Sequence, residues 1–218
     1  MMTVTERPPR RTRTVSRAID RGDTHASLAT NLYRDRQHEI DAVKILPGEF
    51  YVTGADMGLV TVLGSCVAAC IRDAQSGIGG MNHFMLPDGG DGVVSDSARY
   101  GAYAMELLIN ELVKLGARRN RLEAKVFGGG AVLRGFSVSH VGARNSAFVL
   151  DFLKTEGIPV LAQDLGDDCP RKIYFFPHTG KVRVKRLLGT HNNTILEREQ
   201  EYRSRIEHQP VSGGIELF

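Results

Sequence analysis

The sequence predicts an α+β fold: a single β-rich domain with two main helices packed on a mixed or antiparallel sheet. Most apolar runs are short, rich in β-branched residues and bounded by glycine or other turn-forming residues, which is typical of strands. Two longer stretches instead place their apolar residues at helical spacing. These two stretches interrupt the series of strands and do not alternate with it, which favours α+β over a regular βαβ repeat.

The first predicted strands lead to a hairpin. The chain enters the sheet between residues 44 and 53, and residues 59–72 form two strand pieces because a glycine-serine pair interrupts the β-branched run. Residues 73–77 have the composition of a turn. Residues 78–86 then form the returning strand.

The two predicted helices each end at a glycine. Ser97 is a suitable N-cap for a first helix that runs to about Leu115, and Gly116 suits the position after its last turn. The second helix covers about residues 145–156, and Gly157 ends it.

Four further strands complete the predicted domain. The first leads into the triple glycine 128–130, which matches neither phosphate-binding glycine pattern and so predicts a tight turn or close backbone packing. A hairpin connection at residues 177–180 joins the last two strands. The four strands are residues 123–127, 159–163, 172–176 and 181–187.

Length and composition predict the domain boundaries. The chain has 218 residues, of which 42% are apolar and 24% are charged, as in a soluble globular domain. We expect the domain at residues 41–190, after a basic, disordered arm (1–40) rich in proline and arginine and before a polar tail (191–218). We find neither a membrane-spanning apolar run nor a secretory signal, which predicts a cytoplasmic protein without membrane insertion.

The charge of the chain predicts no nucleic-acid partner. The formal net charge is only +3, and much of the excess lies in the N-terminal arm. The domain itself shows no interleaving of aromatic and basic residues of the kind that stacks on bases. A basic set on the last hairpin is exposed in this interpretation and could steer an acidic partner; it comprises Lys172, Lys181, Arg183, Lys185 and Arg186.

A cysteine and a histidine face each other across the first hairpin. If its turn centres between residues 74 and 75, Cys66 lies directly opposite His83. Opposed residues have Cβ atoms about 4.5–5.5 Å apart on one face. The imidazole can then take the proton of the thiol and make it a nucleophile. The register matters, because a slip of one residue would send one group to the other face.

The neighbours of this pair suit the chemistry of an acyl group. Gly64 and Ser65 allow a sharp turn whose free N–H groups could hold an oxyanion. Thr61 is the nearest polar candidate to orient the imidazole. Asn82 points to the other face of a regular strand and is a weaker candidate.

Structural roles compete with each chemical role. A cysteine in an apolar strand is most often a small buried residue, and His83 and Thr61 could be an ordinary core histidine and a β-forming residue. Cys70 is interpreted in this way, and Cys169 is interpreted as a loop thiol without a chemical role. Three cysteines make no disulfide framework. A zinc site at Cys66, Cys70 and His83 is rejected, because four residues of strand separate the two sulfurs by roughly 13 Å.

Six segments of the chain together closely resemble those of one known protein family. The cysteine segment is LGSCVAACIRD (63–73), and the histidine segment is GIGGMNHFMLP (77–87). The resemblance continues, in order and with matching spacing, through RYGAYAMELLINEL, AKVFGGGAVL, VGARNSAFVLDFLKTEGIPVLAQDLG and PRKIYFFPHTGKVRVKRL. The family is CheD, the chemoreceptor glutamine deamidases, and the resemblance covers about residues 45–190.

The resemblance implies a protein-glutamine glutaminase with an α/β sandwich fold. Such an enzyme hydrolyses glutamine side chains of chemotaxis receptors to glutamate and ammonia, without a metal or an organic cofactor. The Cys–His–Thr triad of the family carries over onto Cys66, His83 and Thr61. The receptors' cytoplasmic domains are the implied partners, together with a CheC-type phosphatase in some members. A cysteine peptidase or acyltransferase and a non-catalytic docking adaptor remain as alternatives.

Overall fold

Two mixed β-sheets and three α-helices form the described part of the chain, in a computed structural model that describes residues 27–87, 94–132, 139–188 and 193–208. The predicted α+β class is confirmed. The two sheets face each other, and helices cover the outer side of one of them.

The larger sheet has six strands in the order β1-β4-β7-β6-β8-β9. Its central strands are antiparallel, whereas β1 pairs with β4, and β8 with β9, in parallel. The strands are β1 (Ser27–Leu28), β4 (Glu49–Thr53), β6 (Val67–Asp73), β7 (Ile78–Asn82), β8 (Leu122–Gly128) and β9 (Val160–Leu165).

The smaller sheet has five strands in the order β11-β10-β5-β3-β2. Only β3 and β5 pair in parallel. The strands are β2 (Asn31–Asp35), β3 (Ile40–Lys44), β5 (Gly58–Leu63), β10 (Arg171–Phe176) and β11 (Lys181–Arg186).

The helices are α1 (Val94–Leu115), α2 (Ser139–Thr155) and α3 (Asn193–His208). Helices α1 and α2 share an apolar core with the outer face of the six-stranded sheet, to which β6 contributes Val67, Ala69 and Ile71. The alternate residues of β6 point into a second core between the two sheets, as the two-residue period of a strand requires. No helix in these ranges is long and apolar enough to cross a membrane.

Several predicted elements are confirmed and some of their ends are corrected. Strand β5 ends at Leu63 and β6 begins at Val67, so the predicted interruption is present. Gly116 directly follows α1 with a φ of 115°, and Gly157 lies two residues after the end of α2 with a φ of 67°, as predicted for helix-ending glycines. Both helices begin earlier than predicted. Helix α1 already includes Ser97, which is therefore not its N-cap, because apolar spacing marks only the turns of a helix that face a core.

Two strands and one helix lie outside the predicted bounds of 41 and 190. Strands β1 and β2 lie within the predicted arm, and α3 lies within the predicted tail. Residues 1–26 and 209–218 lie outside the described residues. The short strands escaped prediction because their stability comes from pairing with β4 and β3, which local composition does not reveal.

The register of the first hairpin also differs from the prediction. Asp73 pairs with Ile78, so the turn centres one residue later than assumed. Val67 bridges Phe84, which puts Met85, and not His83, opposite Cys66. The shift of two residues preserves the face on which a side chain lies, because side chains alternate with a period of two. Cys66 and His83 therefore remain on the same side of the sheet.

Candidate active site

Residues 64–66 link β5 to β6 and carry the chain from one sheet to the other. Cys66 is the last residue of this link. Its side chain is fully buried. All three carbonyls of the link accept a hydrogen bond. Gly130 N–H donates to the Gly64 carbonyl and Gly129 N–H to the Cys66 carbonyl, both at 2.8 Å. The Asn145 side chain donates to the Ser65 carbonyl at 2.9 Å. The orientation of these peptide groups is therefore fixed.

The triple glycine allows this close packing. A Cβ at Gly128, whose φ is 110°, would lie 2.2 Å from the Cys66 carbonyl oxygen. Only glycine adopts that φ readily and leaves the space free. The predicted role in close backbone packing is thus confirmed.

Asn145 is a buried residue of the site that sequence reasoning missed. Besides its bond to Ser65, its Oδ1 accepts from Leu86 N–H at 2.9 Å. One side chain of α2 thus ties the cysteine link to the segment after His83. The sequence signal for its role is a polar residue in line with an apolar helical stripe, at the predicted start of the second helix.

His83 follows β7, and its ring is held from the opposite sheet. Its Nδ1 lies 2.8 Å from the hydroxyl of Thr61, which also lies 2.7 Å from the carbonyl oxygen of Ile45. A carbonyl can only accept, so the hydroxyl donates to Ile45 and accepts from Nδ1–H. This arrangement leaves Nε2 as the basic nitrogen. Nε2 is buried and has no hydrogen-bond partner among the described residues.

Three chemical groups meet at this point. The Cys66 sulfur, a ring nitrogen of His83 and a carboxylate oxygen of Glu199 all lie within 4.8 Å of one another, and all three residues are buried. Because Nδ1 is engaged by Thr61, Nε2 is the nitrogen available to the thiol. Thr61 is thus bonded to His83, and the Cys66 sulfur lies close to the same ring. Asn82 points away, with its side chain bonded to Ala69 N–H and to the Ala104 carbonyl of α1.

Glu199 comes from α3 and was also missed. Its Oε1 accepts from the N–H groups of Gly64 (2.8 Å) and Cys66 (3.2 Å). Its Oε2 accepts from Ser65, through the N–H group at 2.9 Å and the hydroxyl at 2.7 Å. The N–H groups of the link therefore converge on one anion. The signal in the sequence is an acidic residue at helical spacing from three apolar or aromatic ones. The four buried residues of this stripe are Ile195, Glu199, Tyr202 and Ile206.

Burial and Glu199 determine the protonation of the pair. Burial raises the pKa of the Cys66 thiol well above its usual value, and the negative charge of Glu199 raises this pKa further. Burial lowers the pKa of His83 to about 4, although Glu199 opposes that effect. With Glu199 in place, the pair at neutral pH is therefore a thiol beside a neutral imidazole.

The cluster of Cys66, His83 and Glu199 has the residue types of a metal site. An ionised carboxylate offers about four lone-pair positions. The four hydrogen bonds from the link occupy those positions, so the carboxylate has no free one for a metal ion. Cys70 is not part of this cluster. The N–H and O–H groups around Glu199 therefore suit the binding of an anion better than the binding of a metal ion.

The arrangement suits acyl transfer. A buried thiol lies beside a base whose second nitrogen is fixed by a hydroxyl, and several N–H donors converge nearby. Such donors stabilise the oxyanion that forms when a nucleophile attacks a carbonyl carbon.

Comparisons with known proteins point to one family. The family model described as CheD chemotactic sensory transduction matches residues 85–186, a stretch that begins just after His83. "Probable chemoreceptor glutamine deamidase CheD 1" of Dechloromonas aromatica (strain RCB) is 66% identical over 192 residues, which are 88% of this chain and 96% of the relative.

Other similar proteins include "Probable chemoreceptor glutamine deamidase CheD" of Herminiimonas arsenicoxydans, 62% identical over 89% of this chain and 98% of the relative. The crystal structure of Bacillus licheniformis hypothetical protein YfiH has a TM-score of 0.36 and 11% identity, and the match covers 65% of this chain and 63% of that one. A structural likeness of this size carries no argument.

Proposed function

The chain belongs to the CheD family, and from that premise we propose that it is a protein-glutamine glutaminase that deamidates glutamine side chains of chemoreceptors. The products are glutamate and ammonia, and the change in receptor charge serves adaptation in chemotaxis. The observation that carries this proposal is the buried pair of Cys66 and His83 beside converging N–H donors.

The reaction begins when His83 accepts the thiol proton of Cys66. The thiolate then attacks the carboxamide carbon of the substrate glutamine, and the N–H groups of the link hold the oxyanion. As the intermediate collapses, His83 returns the proton to the leaving nitrogen and ammonia departs, which leaves a thioester. Water, deprotonated by His83, cleaves the thioester, releases glutamate and restores the thiol. Neither a metal nor an organic cofactor takes part.

Thr61 acts through His83 as a positioning residue. Its hydroxyl accepts from Nδ1–H, and this bond keeps the lone pair of Nε2 directed away from Thr61 and towards the thiol. When His83 becomes protonated during the reaction, the same bond stabilises the imidazolium.

The function places the protein in the cytoplasm with the cytoplasmic domains of chemoreceptors as its substrates. A CheC-type phosphatase is a second partner in this proposal, because the family includes members that bind one. A basic surface along β11 supports the choice of acidic protein partners: Lys181, Arg183, Lys185 and Arg186 are all exposed there.

The experiment incubates the protein with a receptor cytoplasmic fragment and measures ammonia together with the masses of tryptic peptides. We expect glutamine peptides to gain the mass difference between a carboxamide and a carboxylic acid. Cys66→Ala abolishes this gain. Cys70→Ala is the matched control, because it removes a buried thiol on β6 outside the site.

Four results would contradict the proposal. Chain cleavage would indicate a cysteine peptidase, and cross-linked receptor would indicate an acyltransferase. Undiminished deamidation by a folded Cys66→Ala protein would exclude Cys66 as the nucleophile. A receptor that binds the protein but stays unmodified would indicate a docking adaptor.

A further inference from the structure

Helix α3 lies over the candidate active site along a single stripe of side chains. Ile195, Glu199, Tyr202 and Ile206 are buried, whereas the described neighbours on the rest of the helix are exposed or half-buried. Three of the four are apolar or aromatic, as expected for a helix on a core. Glu199 is the exception, and its side chain is only 2% exposed.

The position of the Glu199 carboxylate matches that of a product. Deamidation turns a glutamine side chain into a glutamate side chain at the attacked carbon, beside the nucleophile. The Glu199 carboxylate lies near the Cys66 sulfur and accepts from the N–H groups that would hold the oxyanion. A product carboxylate beside the nucleophile would meet the same partners.

We propose that α3 occupies the substrate site as an internal product analogue, with Glu199 in the place of the glutamate that the reaction forms. This inference rests on the proposed function of the site. A receptor glutamine reaches Cys66 only after α3 has moved away. The apparent affinity for receptor is therefore reduced by the fraction of molecules in which α3 is displaced.

The donors around Glu199 favour a carboxylate over a carboxamide. Both carboxylate oxygens accept two hydrogen bonds each. A carboxamide has one oxygen, and its NH₂ group would face at least one N–H donor of the link. Charge-assisted bonds are also the stronger ones. The site thus holds the glutamate of α3 more tightly than it would hold a glutamine in the same place.

The rest of α3 is attached in a way that permits release. Among the described residues, no backbone–backbone hydrogen bond joins α3 to another element. Polar side-chain contacts of α3 include those of Glu199 with the link and of the Tyr202 hydroxyl with that of Tyr100. An open cleft of about 410 Å³ runs along one side of the helix, lined in part by Lys44, Pro47 and Arg205. Side-chain contacts of this kind can break without unfolding a sheet.

The electrostatics of the site agree with a closed state. The negative charge of Glu199 raises the pKa of the Cys66 thiol, which burial has already raised, and so disfavours the thiolate. When α3 moves away, the same movement removes this charge from the thiol and opens the site to the substrate.

The decisive experiment makes the internal analogue a substrate. In the full chain, Glu199→Gln places a carboxamide beside Cys66. Cys66 attacks its carbon, the proton from the thiol leaves with ammonia through His83, and water cleaves the thioester to regenerate a glutamate. We expect residue 199 to convert to glutamate over time, detected by mass spectrometry of its peptide. Conversion must be independent of protein concentration, because the reaction is intramolecular.

Two controls accompany this variant. Glu199→Gln combined with Cys66→Ala keeps its carboxamide. Glu197→Gln, an exposed position on the same helix, also keeps its carboxamide in the active protein. Persistence of the carboxamide in folded Glu199→Gln with Cys66 intact would overturn the inference.

A second measurement tests release. At receptor concentrations below KM, Glu199→Ala raises the initial rate of receptor deamidation by about tenfold or more, because even one charge-assisted hydrogen bond is worth about that factor. Glu197→Ala leaves the rate unchanged. A Glu199→Ala protein no faster than wild type would contradict the closed state.

The two proposals fail in different ways. If wild type deamidates receptors but residue 199 is never converted and Glu199→Ala is not faster, the role of α3 is wrong and the function stands. If no variant acts on receptors while residue 199 is still converted, the function is wrong and α3 does occupy a glutaminase site.

Discussion

Replacement of Thr61 by valine isolates the contribution of His83 orientation. The change preserves the shape of the side chain and removes one hydroxyl, which is almost fully buried. Two groups then lose a partner in a site closed to water: the His83 Nδ1–H and the Ile45 carbonyl. An orphaned buried polar group costs about 1–3 kcal/mol.

The loss divides between stability and rate. If the ring keeps its place, both groups lose the hydroxyl but keep their hydrogen bond to each other, so the free energy of unfolding falls by about 1–3 kcal/mol. If the ring turns to find another acceptor, Nε2 no longer faces Cys66, and kcat falls by about 10- to 100-fold, as expected for the loss of an oriented base. KM changes little in either case, because Thr61 does not contact the substrate.

The assay measures kcat and KM for ammonia release together with urea unfolding. Thr61→Ser retains the hydroxyl and should recover most of the rate. Thr53→Val serves as the matched control, since Thr53 is also buried but accepts from Ala55 N–H far from the site. A folded Thr61→Val protein with both the kcat and the unfolding free energy of wild type would refute the role of this hydroxyl.

Two further predictions concern stability. The pKa of His83, lowered to about 4 by burial, lies below its unfolded value near 6.5, so only the unfolded state binds the proton between these values. Urea unfolding should therefore show stability falling as pH decreases from 6.5 to 4, by about 3 kcal/mol more in wild type than in His83→Gln; parallel profiles would contradict this. Gly128→Ala should destabilise the fold more than Gly157→Ala: both have positive φ, but only at Gly128 would a Cβ meet a backbone atom. Equal losses in thermal unfolding would show that the contact is relieved.

Local sequence was sufficient to predict those features in which a residue pattern and a chemical requirement coincide. The β-branched run broken by a glycine fixed β5, β6 and the link, because strand period and turn chemistry are properties of neighbouring residues. The prediction that Cys66 and His83 lie close together holds despite the error in register, because a shift of two residues leaves a side chain on the same face of the sheet. Thr61 was a candidate as the nearest polar residue and by family resemblance, and its bond to His83 spans the two sheets.

Asn145 and Glu199 lay beyond this reasoning. Each is a polar residue on a helix whose role depends on what the helix covers, and helical spacing predicts a buried stripe without naming its partner. The donors of Glu199 are more than 130 residues away in the chain.

The sequence by itself determined the fold class, the nucleophile segment and the family, because strand periodicity, turn residues and a contiguous motif are all written locally. The tertiary structure alone decided that β5 and β6 belong to different sheets, that Thr61 reaches His83 across them, and that α3 covers the site with Glu199. These contacts depend on where remote segments pack, and packing is settled by the whole chain and not by any one segment of it.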